Sequence, residues 1–373
     1  MKIALVGPTY PFRGGIAHYT TLLYKALVKQ HTVMFYSFKR QYPSWLFPGQ
    51  TDRDNSRQPL YGECRYTIDS LNPLTWRDTA KQIDQFQPDI LLLSWWHPYW
   101  ALVWFYLMHR AKRQQVSILY IVHNVVSHET KWWDKWLTKS VLSSANKLIV
   151  HSNEERQRLL TLLPSATVQV VPLPTYTPLS EQSQPLSQTE ARQQLSLSDT
   201  ERVLLFFGFV RPYKGLPILL EALVELTPSL PVRLLIVGEF WKSAQETEQF
   251  LIDHQLTTHV TIINRYIPNE AIGIYFSAAD VVVLPYRRAS GSAVLQLAFG
   301  FGKPVIASDV GGLNDVVADG ETGLLVPPND SVALAQTIER FYQTNQAWSD
   351  KIKSYNQQFS WQHLVEQVTK IPV

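Results

Sequence analysis

Two cations three positions apart, Arg211 and Lys214, sit in the stretch Phe209-Val210-Arg211-Pro212-Tyr213-Lys214-Gly215. A glycine-bounded loop between a strand and a helix lets the backbone come close to a ligand. A guanidinium beside an ammonium then makes a phosphate-binding combination. On spacing alone, the same pair reads equally as two solvated loop cations. Small residues at three expected helix starts weigh against that plainer reading: Gly14-Gly15, Ser290-Gly291-Ser292 followed by Ala293, and Gly311-Gly312. The first turn of a helix leaves backbone N–H groups without intrahelical partners, and the helix field favours an anion there. Together the three starts and the Arg/Lys pair point to a diphosphate. No Gly-Lys-Ser/Thr follows any of these glycines, so none is a nucleotide-triphosphate loop. No G-x-G-x-x-G follows the first strand, which argues against a nicotinamide cofactor, and no cofactor is expected.

Other chemistry-bearing residues are weaker. His123-Asn124 follows an apolar strand, in one of the loops at the carboxyl ends of the strands where a ligand is to be sought. His18 and His97 are fainter candidates. Asp52-Arg53-Asp54 has the look of a metal-binding carboxylate pair, but it lies in a polar loop with no apolar strand ahead of it. With Cys64 the only cysteine, neither a disulfide framework nor a cysteine-based zinc site is available, and no metal is expected. Glu154-Glu155 opens a helix and reads as complement to its dipole.

Strands alternating with helices must position these residues. In the first half the apolar runs predict strands over Ile3–Val6, Thr32–Tyr36, Ile90–Leu93, Ser117–Val122, Lys147–Val150 and Val168–Val171. Helices are predicted over 16–28, 102–111 and 153–163, and residues 40–60 read as a long loop. In the second half, strands are predicted over Val203–Phe207, Arg233–Val237, Val260–Ile263, Val281–Leu284, Pro304–Ala307 and Gly323–Val326. The helices between them fall at 216–226, 246–254, 271–278, 293–301, 313–318 and 332–342. Such alternation implies α/β architecture: two doubly wound, Rossmann-like parallel-sheet domains in tandem, with ligands at the carboxyl ends of the strands and a cleft between the domains as the expected site. Residues 1–172 form the first domain. Residues 173–200, rich in proline and serine, read as a linker that buries no core. The second domain runs over 201–355.

The chain of 373 residues is long enough for two domains, and at 45% hydrophobic and 17% charged its composition is globular. No apolar run reaches a membrane span and the opening run is too short for a secretory signal, so a cytoplasmic protein is expected. The net charge of +3 hides an asymmetry: residues 1–171 hold 20 Lys+Arg against 11 Asp+Glu, and the remainder 14 against 20. Of the 12 tryptophans, nine lie at or before Trp136. A basic, Trp-rich half suits an anionic membrane surface, touched peripherally at the inner face, or a bulky anionic substrate. Core tryptophans with a solvated lysine face would read the same way. Lys131-Trp132-Trp133-Asp134-Lys135-Trp136 is the densest mixture. No nucleic-acid module is present.

The order of motifs resembles the GT4-type (glycosyl transferases group 1) family of retaining glycosyltransferases. Phe207 to Gly215 is similar to that family's G-x-x-R-x-x-K-G element. Arg265-Tyr266-Ile267-Pro268-Asn269-Glu270 through Ala278-Ala279-Asp280-Val281-Val282-Val283-Leu284-Pro285 resembles its G-x-V-P-x-E … A-A-D-V-x-V-L-P stretch. Gly302-Lys303-Pro304-Val305 through Gly311-Gly312, and Asp319-Gly320-Glu321-Thr322-Gly323 through Pro327-Pro328, follow its C-terminal signature nearly residue for residue. Gly14-Gly15-Ile16-Ala17 and His123-Asn124 match weaker elements.

The resemblance implies a GT-B fold, a nucleotide-diphosphate sugar on the C-terminal domain, and a glycan or lipid-linked acceptor on the N-terminal domain. It also implies a final helix, within residues 356–373, returning towards the first domain. Through it Arg211 and Lys214 hold the donor diphosphate, aided by Gly14, Gly15, Ser290, Gly291, Ser292 and Ala293. His123 lies near the donor sugar, and Gly238, Tyr266, Ile267 and Gln296 lie near the nucleoside. One departure stands out. The family's two glutamates, eight apart, fall on Ala289 and Leu297, with Gln296 beside the second. The function implied is retaining, metal-independent glycosyl transfer. Two alternatives stay open: an epimerase or phosphorylase of the same fold, or a sugar-nucleotide-binding protein without turnover.

Overall fold

The computed structural model describes residues 1–43, 51–125, 132–177, 179, 183, 186–226, 229–241, 244–344 and 346–370. It divides into two compact units. The first comprises Met1–Asn55, Pro59–Pro172 and the segment from Ser360, and the second comprises Ser56–Gln58 and Leu173–Phe359.

In the first unit seven strands form one parallel sheet: β1 (Lys2–Val6), β2 (Thr32–Arg40), β3 (Arg65–Asp69), β4 (Ile90–Trp95), β5 (Ser117–Val122), β6 (Lys147–Val150) and β7 (Val168–Val170). Their order is β3-β2-β1-β4-β5-β6-β7. Residues in β1 and β4 are buried along almost their whole length, as strands covered on both faces must be. Helices Gly15–Leu27, Pro73–Phe86, Ala101–Arg113, Trp132–Leu142 and Asn153–Leu162 provide the covers.

Three of these elements lie outside the sequence reading: β3, helix Pro73–Phe86 and helix Trp132–Leu142. Strand β3 is polar and only Ile68 is fully buried, which is the signature of an edge strand. Helix Pro73–Phe86 buries the stripe Trp76, Thr79, Ala80 and Ile83 behind an Asn72 cap and a first-turn proline. The core of this unit takes in Trp76, Trp95, Trp96, Trp100 and Trp104; Trp95, Trp100 and Trp104 are fully buried and Phe38 packs among them.

The segment from Ser360 completes this unit. Helix Trp361–Thr369 packs on helix Gly15–Leu27, with the Trp361 and Tyr19 rings 5.3 Å apart. The Lys147 ammonium donates to the Gln367 carbonyl (2.7 Å) and the Lys370 carbonyl (3.2 Å), supplying a cation where the helix exposes its last carbonyls.

The second unit holds β8 (Val203–Phe207), β9 (Arg233–Val237), β10 (Val260–Ile263), β11 (Val281–Leu284), β12 (Val305–Ser308) and β13 (Gly323–Val326). They form a parallel sheet ordered β10-β9-β8-β11-β12-β13. Both sheets reverse their winding beside their first strand, which marks the ends of β1/β4 and β8/β11 as ligand positions.

The segment expected as a coreless linker needs correction. Within it, helix Gln188–Gln194 has a full capping box between Ser187 and Glu190 and packs on helix Ile272–Ala278. Ala191 and Arg192 are buried there. Arg192 reaches Asp280 at 2.9 Å, and Asp280 also accepts from Gln188, Tyr342 and the Val203 N–H. Polar composition concealed this helix because its main buried anchor is an ion pair. The helix expected at 313–318 is also displaced: the helical turn is Gly311–Asn314 and starts on the glycines themselves.

Candidate functional site

In the second unit the sequence elements converge at the carboxyl ends of β8, β9 and β11. Strand β8 ends at Phe207, and Gly208 follows with φ +92°, donating its N–H to the Val237 carbonyl (2.8 Å). Gly238 runs against it so closely that a Cβ there would meet the Gly208 carbonyl oxygen at 2.1 Å. A short helical turn, Pro212–Lys214, then reverses the chain at Gly215, which has φ +71° and whose added Cβ would fall 1.9 Å from the Pro285 oxygen. Only glycine fits there.

This turn sends Lys214 inward. Its side chain is buried, its Nζ lies 3.4 Å from the Phe207 carbonyl oxygen and 5.7 Å from the centre of the Tyr286 ring. A methyl placed on Gly208 would sit 2.9 Å from that Nζ and 3.4 Å from Val294, in the first turn of helix Ala293–Gly300. The ammonium and the helix start therefore face one small space beside Gly208. Burial, and secondarily Arg211, pushes the Lys214 ammonium down to about 7. A buried cation with no carboxylate partner among the described residues calls for an anion.

Arg211 is fixed differently. Its guanidinium lies 4.6 Å from the centre of the Trp241 ring and 5.4 Å from that of Tyr213. Trp241 in turn packs on Phe209, which stacks towards Tyr266. Cation–π contact holds the guanidinium without neutralising it. Neither Trp241 nor Tyr286 was legible as a site residue in the sequence, because each reaches the cations only through the adjacency of β9 and β11 to β8.

The loop Ala289–Ser292 and the glycine turn at 311–312 meet. Gly312 donates its N–H to the Ala289 carbonyl (2.9 Å), and a Cβ on Gly312 would strike the Ser290 carbonyl oxygen at 2.6 Å. Ser292 caps its helix by accepting from the Leu295 N–H, so its hydroxyl is used in holding that start. Ala289 and Leu297, where the family resemblance carries glutamates, are both buried and apolar. Gln296 is buried too, and its Oε1 has no hydrogen-bond partner among the described residues. Ile267 is buried beside the partly buried Tyr266, on the loop after β10.

In the first unit Gly14 has φ +110° and caps helix Gly15–Leu27, which has no acidic residue in its first turn. His123 follows β5, its N–H donating to the Trp95 carbonyl (2.8 Å). Its ring stands edge-on to Tyr19 at 4.8 Å and lies 5.7 Å from His151. Burial, with His151 adding to it, drives the His123 imidazole well below its ordinary range, so it is neutral at physiological pH. His151 donates from Nδ1 to the Val171 carbonyl (2.8 Å), and burial pushes it down to about 4. The Nε2 atoms of both histidines are buried without a hydrogen-bond partner among the described residues.

Glu155, read from sequence as dipole complement, does more than that. It is buried and accepts from the Val125 N–H at 2.7 Å, so it anchors the loop just beyond His123-Asn124. His97 is a turn cap, its Nδ1 accepting from the Tyr99 N–H (3.1 Å). His18 Nε2 lies 3.8 Å from Asp54. Among the described residues no three His, Cys, Asp or Glu side chains come together as a metal site.

Two family models match the chain: Glycosyltransferase Family 4 over residues 13–176 and Glycosyl transferases group 1 over residues 187–359. A D-inositol 3-phosphate glycosyltransferase of Streptosporangium roseum is 31% identical over 222 residues, which are 57% of this chain and 51% of that protein. A second, from Corynebacterium urealyticum, is 28% identical over 62% of this chain and 58% of its own length. The chain thus spans about half the length of the curated relatives it matches. Among solved structures, sucrose-phosphate synthase from Thermosynechococcus elongatus superposes with a TM-score of 0.72 at 24% identity, covering 98% of this chain and 96% of that one. Anabaena HepE in complex with UDP and glucose gives 0.76 at 18%, covering 99% and 98%. These likenesses assign the two Rossmann-like sheets to the GT-B fold.

Proposed function

The chain belongs to the GT4-type, group 1 glycosyltransferases in both of its halves, and from that premise we propose that it transfers a sugar from a nucleotide-diphosphate sugar to an acceptor with retention of configuration. The observation that carries the reading is Lys214: a buried ammonium beside a helix start, three residues from a guanidinium held on Trp241. As the bond from the sugar C1 to the diphosphate oxygen breaks, negative charge grows on the leaving group. Fixed cations then stabilise the transition state more than the bound donor. The start at Ser290–Ala293 adds backbone donors to the diphosphate. Gly238, Tyr266, Ile267 and Gln296 line the nucleoside. The acceptor, a glycan or lipid-linked glycan, belongs to the first unit. HepE with UDP and glucose makes uridine diphosphate sugars the first donors to try.

Incubation with a panel of nucleotide sugars tests this. A true donor at ~100 times its dissociation constant should add ~2.7 kcal/mol of thermal stability. Free nucleoside diphosphate should then appear only when acceptor is present, and the anomeric couplings of the product report retention. The buried apolar Ala289 and Leu297 favour one second reading, donor binding without turnover. Stabilisation by a donor with no diphosphate release under any acceptor would select it. Loss of stabilisation across the whole panel would overturn both readings.

His123 supplies a separate expectation. Placed at the reacting end of the donor, its neutral imidazole acts on the sugar and not on the diphosphate. His123→Ala should therefore lower kcat by ~10²-fold or more, as loss of a positioned acid–base or hydrogen-bonding group does, with nucleoside diphosphate affinity nearly unchanged. Unchanged kcat in a variant with normal melting would leave His123 as packing for Tyr19.

A further inference from the structure

Four aromatic rings meet inside the first unit, each from a different element. Tyr19 of helix Gly15–Leu27 is buried, with its ring centre 5.3 Å from Trp361, 4.8 Å from His123 and 5.1 Å from His151. His123 follows β5, His151 follows β6, and Val171, whose carbonyl takes the His151 Nδ1–H, follows β7. These are three neighbouring strands of the sheet, and backbone bonds pin their ends. The His123 N–H donates to the Trp95 carbonyl (2.8 Å) and the Val171 N–H to the Val150 carbonyl (2.9 Å). The imidazole edges are less complete. Both Nε2 atoms are buried without a hydrogen-bond partner among the described residues, and the two ring centres lie 5.7 Å apart. Two imidazoles joined by one N–H···N bond have centres roughly 5 Å apart, so the pair stands close to bonding distance.

The count of hydrogens decides the direction of that bond. A neutral imidazole has one N–H and one lone pair, and burial keeps both rings neutral at physiological pH. A carbonyl oxygen only accepts, so the His151 hydrogen is on Nδ1 and its Nε2 carries the lone pair. A second buried lone pair set against the first would leave both without a donor, which is costly. Which nitrogen of a histidine holds the proton is set by the bond its other nitrogen makes. We propose that His151 is a positioning residue: its Nε2 accepts from the Nε2–H of His123, which leaves the His123 Nδ1 as a hydrogen-bond acceptor for a hydroxyl of the donor sugar. The relay runs from the Val171 carbonyl through His151 to His123, and Tyr19, edge-on to His123, holds the plane of the ring. The inference rests on the reading of His123 at the reacting end of the donor, and it adds what that imidazole offers there: a lone pair, not a proton.

Proton–nitrogen correlation spectra of the full chain, isotopically labelled at histidine, read which ring nitrogen carries the hydrogen. The signals of His123 and His151 are identified by their loss in His123→Ala and His151→Asn. The parent should show His151 with its hydrogen on Nδ1 and His123 with its hydrogen on Nε2. Two variants then separate the two edges of His151. Asparagine keeps an amide N–H for the Val171 carbonyl and has no acceptor where Nε2 was, whereas glutamine brings an amide oxygen to that place. His151→Asn should release the His123 tautomer, so that the Nδ1–H form appears, and should lower kcat by ~10-fold or more with nucleoside diphosphate affinity unchanged. His151→Gln should keep the Nε2–H form and regain most of the turnover. A parent in which His123 carries its hydrogen on Nδ1 overturns the proposal, and this holds even where both variants melt too low to assay. So does an unaltered His123 tautomer in a folded His151→Asn variant. A released tautomer with unchanged kcat overturns the role in transfer, and the fault then lies in the placement of His123 at the sugar, not in the relay.

Discussion

Arg211→Ala and Lys214→Met should each cut kcat/KM by ~10²–10³-fold, the usual cost of losing one electrostatic donor to a transition state. Their stabilities should diverge. Arg211 is only half buried and stacks on Trp241, so its removal should barely move the melting temperature. Lys214 is buried with its charge uncompensated among the described side chains, so methionine, of similar length and without the charge, should raise the melting temperature despite that loss of activity. Lys214→Ala is the less informative change, because it also opens a cavity. Lys214→Arg should rescue poorly: a planar fork does not fit where a Cβ on Gly208 would already come within 2.9 Å of the amine. Nucleoside diphosphate should bind more weakly to the Arg211→Ala and Lys214→Met variants, while the bare nucleoside binds as before. Near-normal kcat/KM in both, or equal loss of nucleoside and diphosphate, would move the donor site elsewhere.

The second large effect is on pH. With no anion bound, burial holds Lys214 down to about 7, so above neutrality the free protein carries it mostly as the amine. A diphosphate favours the ammonium, and binding must then take up a proton. The apparent affinity for nucleoside diphosphate should weaken as pH rises from about 7 to 9, by up to ~10-fold per pH unit. Titration calorimetry in buffers of different ionisation enthalpy measures the uptake directly. The stability of the unliganded protein should run the other way. A lysine depressed in the folded state binds fewer protons there than in the unfolded chain, so its contribution to stability rises with pH from about 7 up to its ordinary value near 10.4. Lys214→Met should flatten both dependences. Affinity independent of pH over this window would show a lysine charged throughout, and the proton-coupled clamp would fall.

The strands were the most legible part of this chain. Runs such as Leu91-Leu92-Leu93 and Val281-Val282-Val283 are apolar on both faces and admit one reading, and in the structure they are central strands. Edge elements hid: β3 buries only Ile68 fully, and its polar neighbours gave no periodic signal. Helix Gln188–Gln194 hid for a different reason, since an Arg192–Asp280 ion pair does the work that apolar residues usually signal. In the candidate site the cations were visible because glycines bracket them. Their aromatic supports were not, since Trp241 meets Arg211 across two neighbouring strands and nothing in the spacing encodes that adjacency. Glu155 was visible as a helix-start acid, but its hold on Val125, thirty residues upstream, was not.

The return of the chain at Ser360 has a consequence for biosynthesis. Helix Trp361–Thr369 supplies Trp361 against Tyr19 and covers Lys147, so the first unit lacks a structural member until that segment has left the ribosome. At about 5–20 residues per second, making Leu173–Phe359 takes roughly 10–40 s, long after the strands of the first unit have emerged. During that interval Tyr19 on helix Gly15–Leu27 belongs to an unfinished face. The unit made first is therefore the one finished last, and the interval of synthesis is when its apolar surface is open to chaperones.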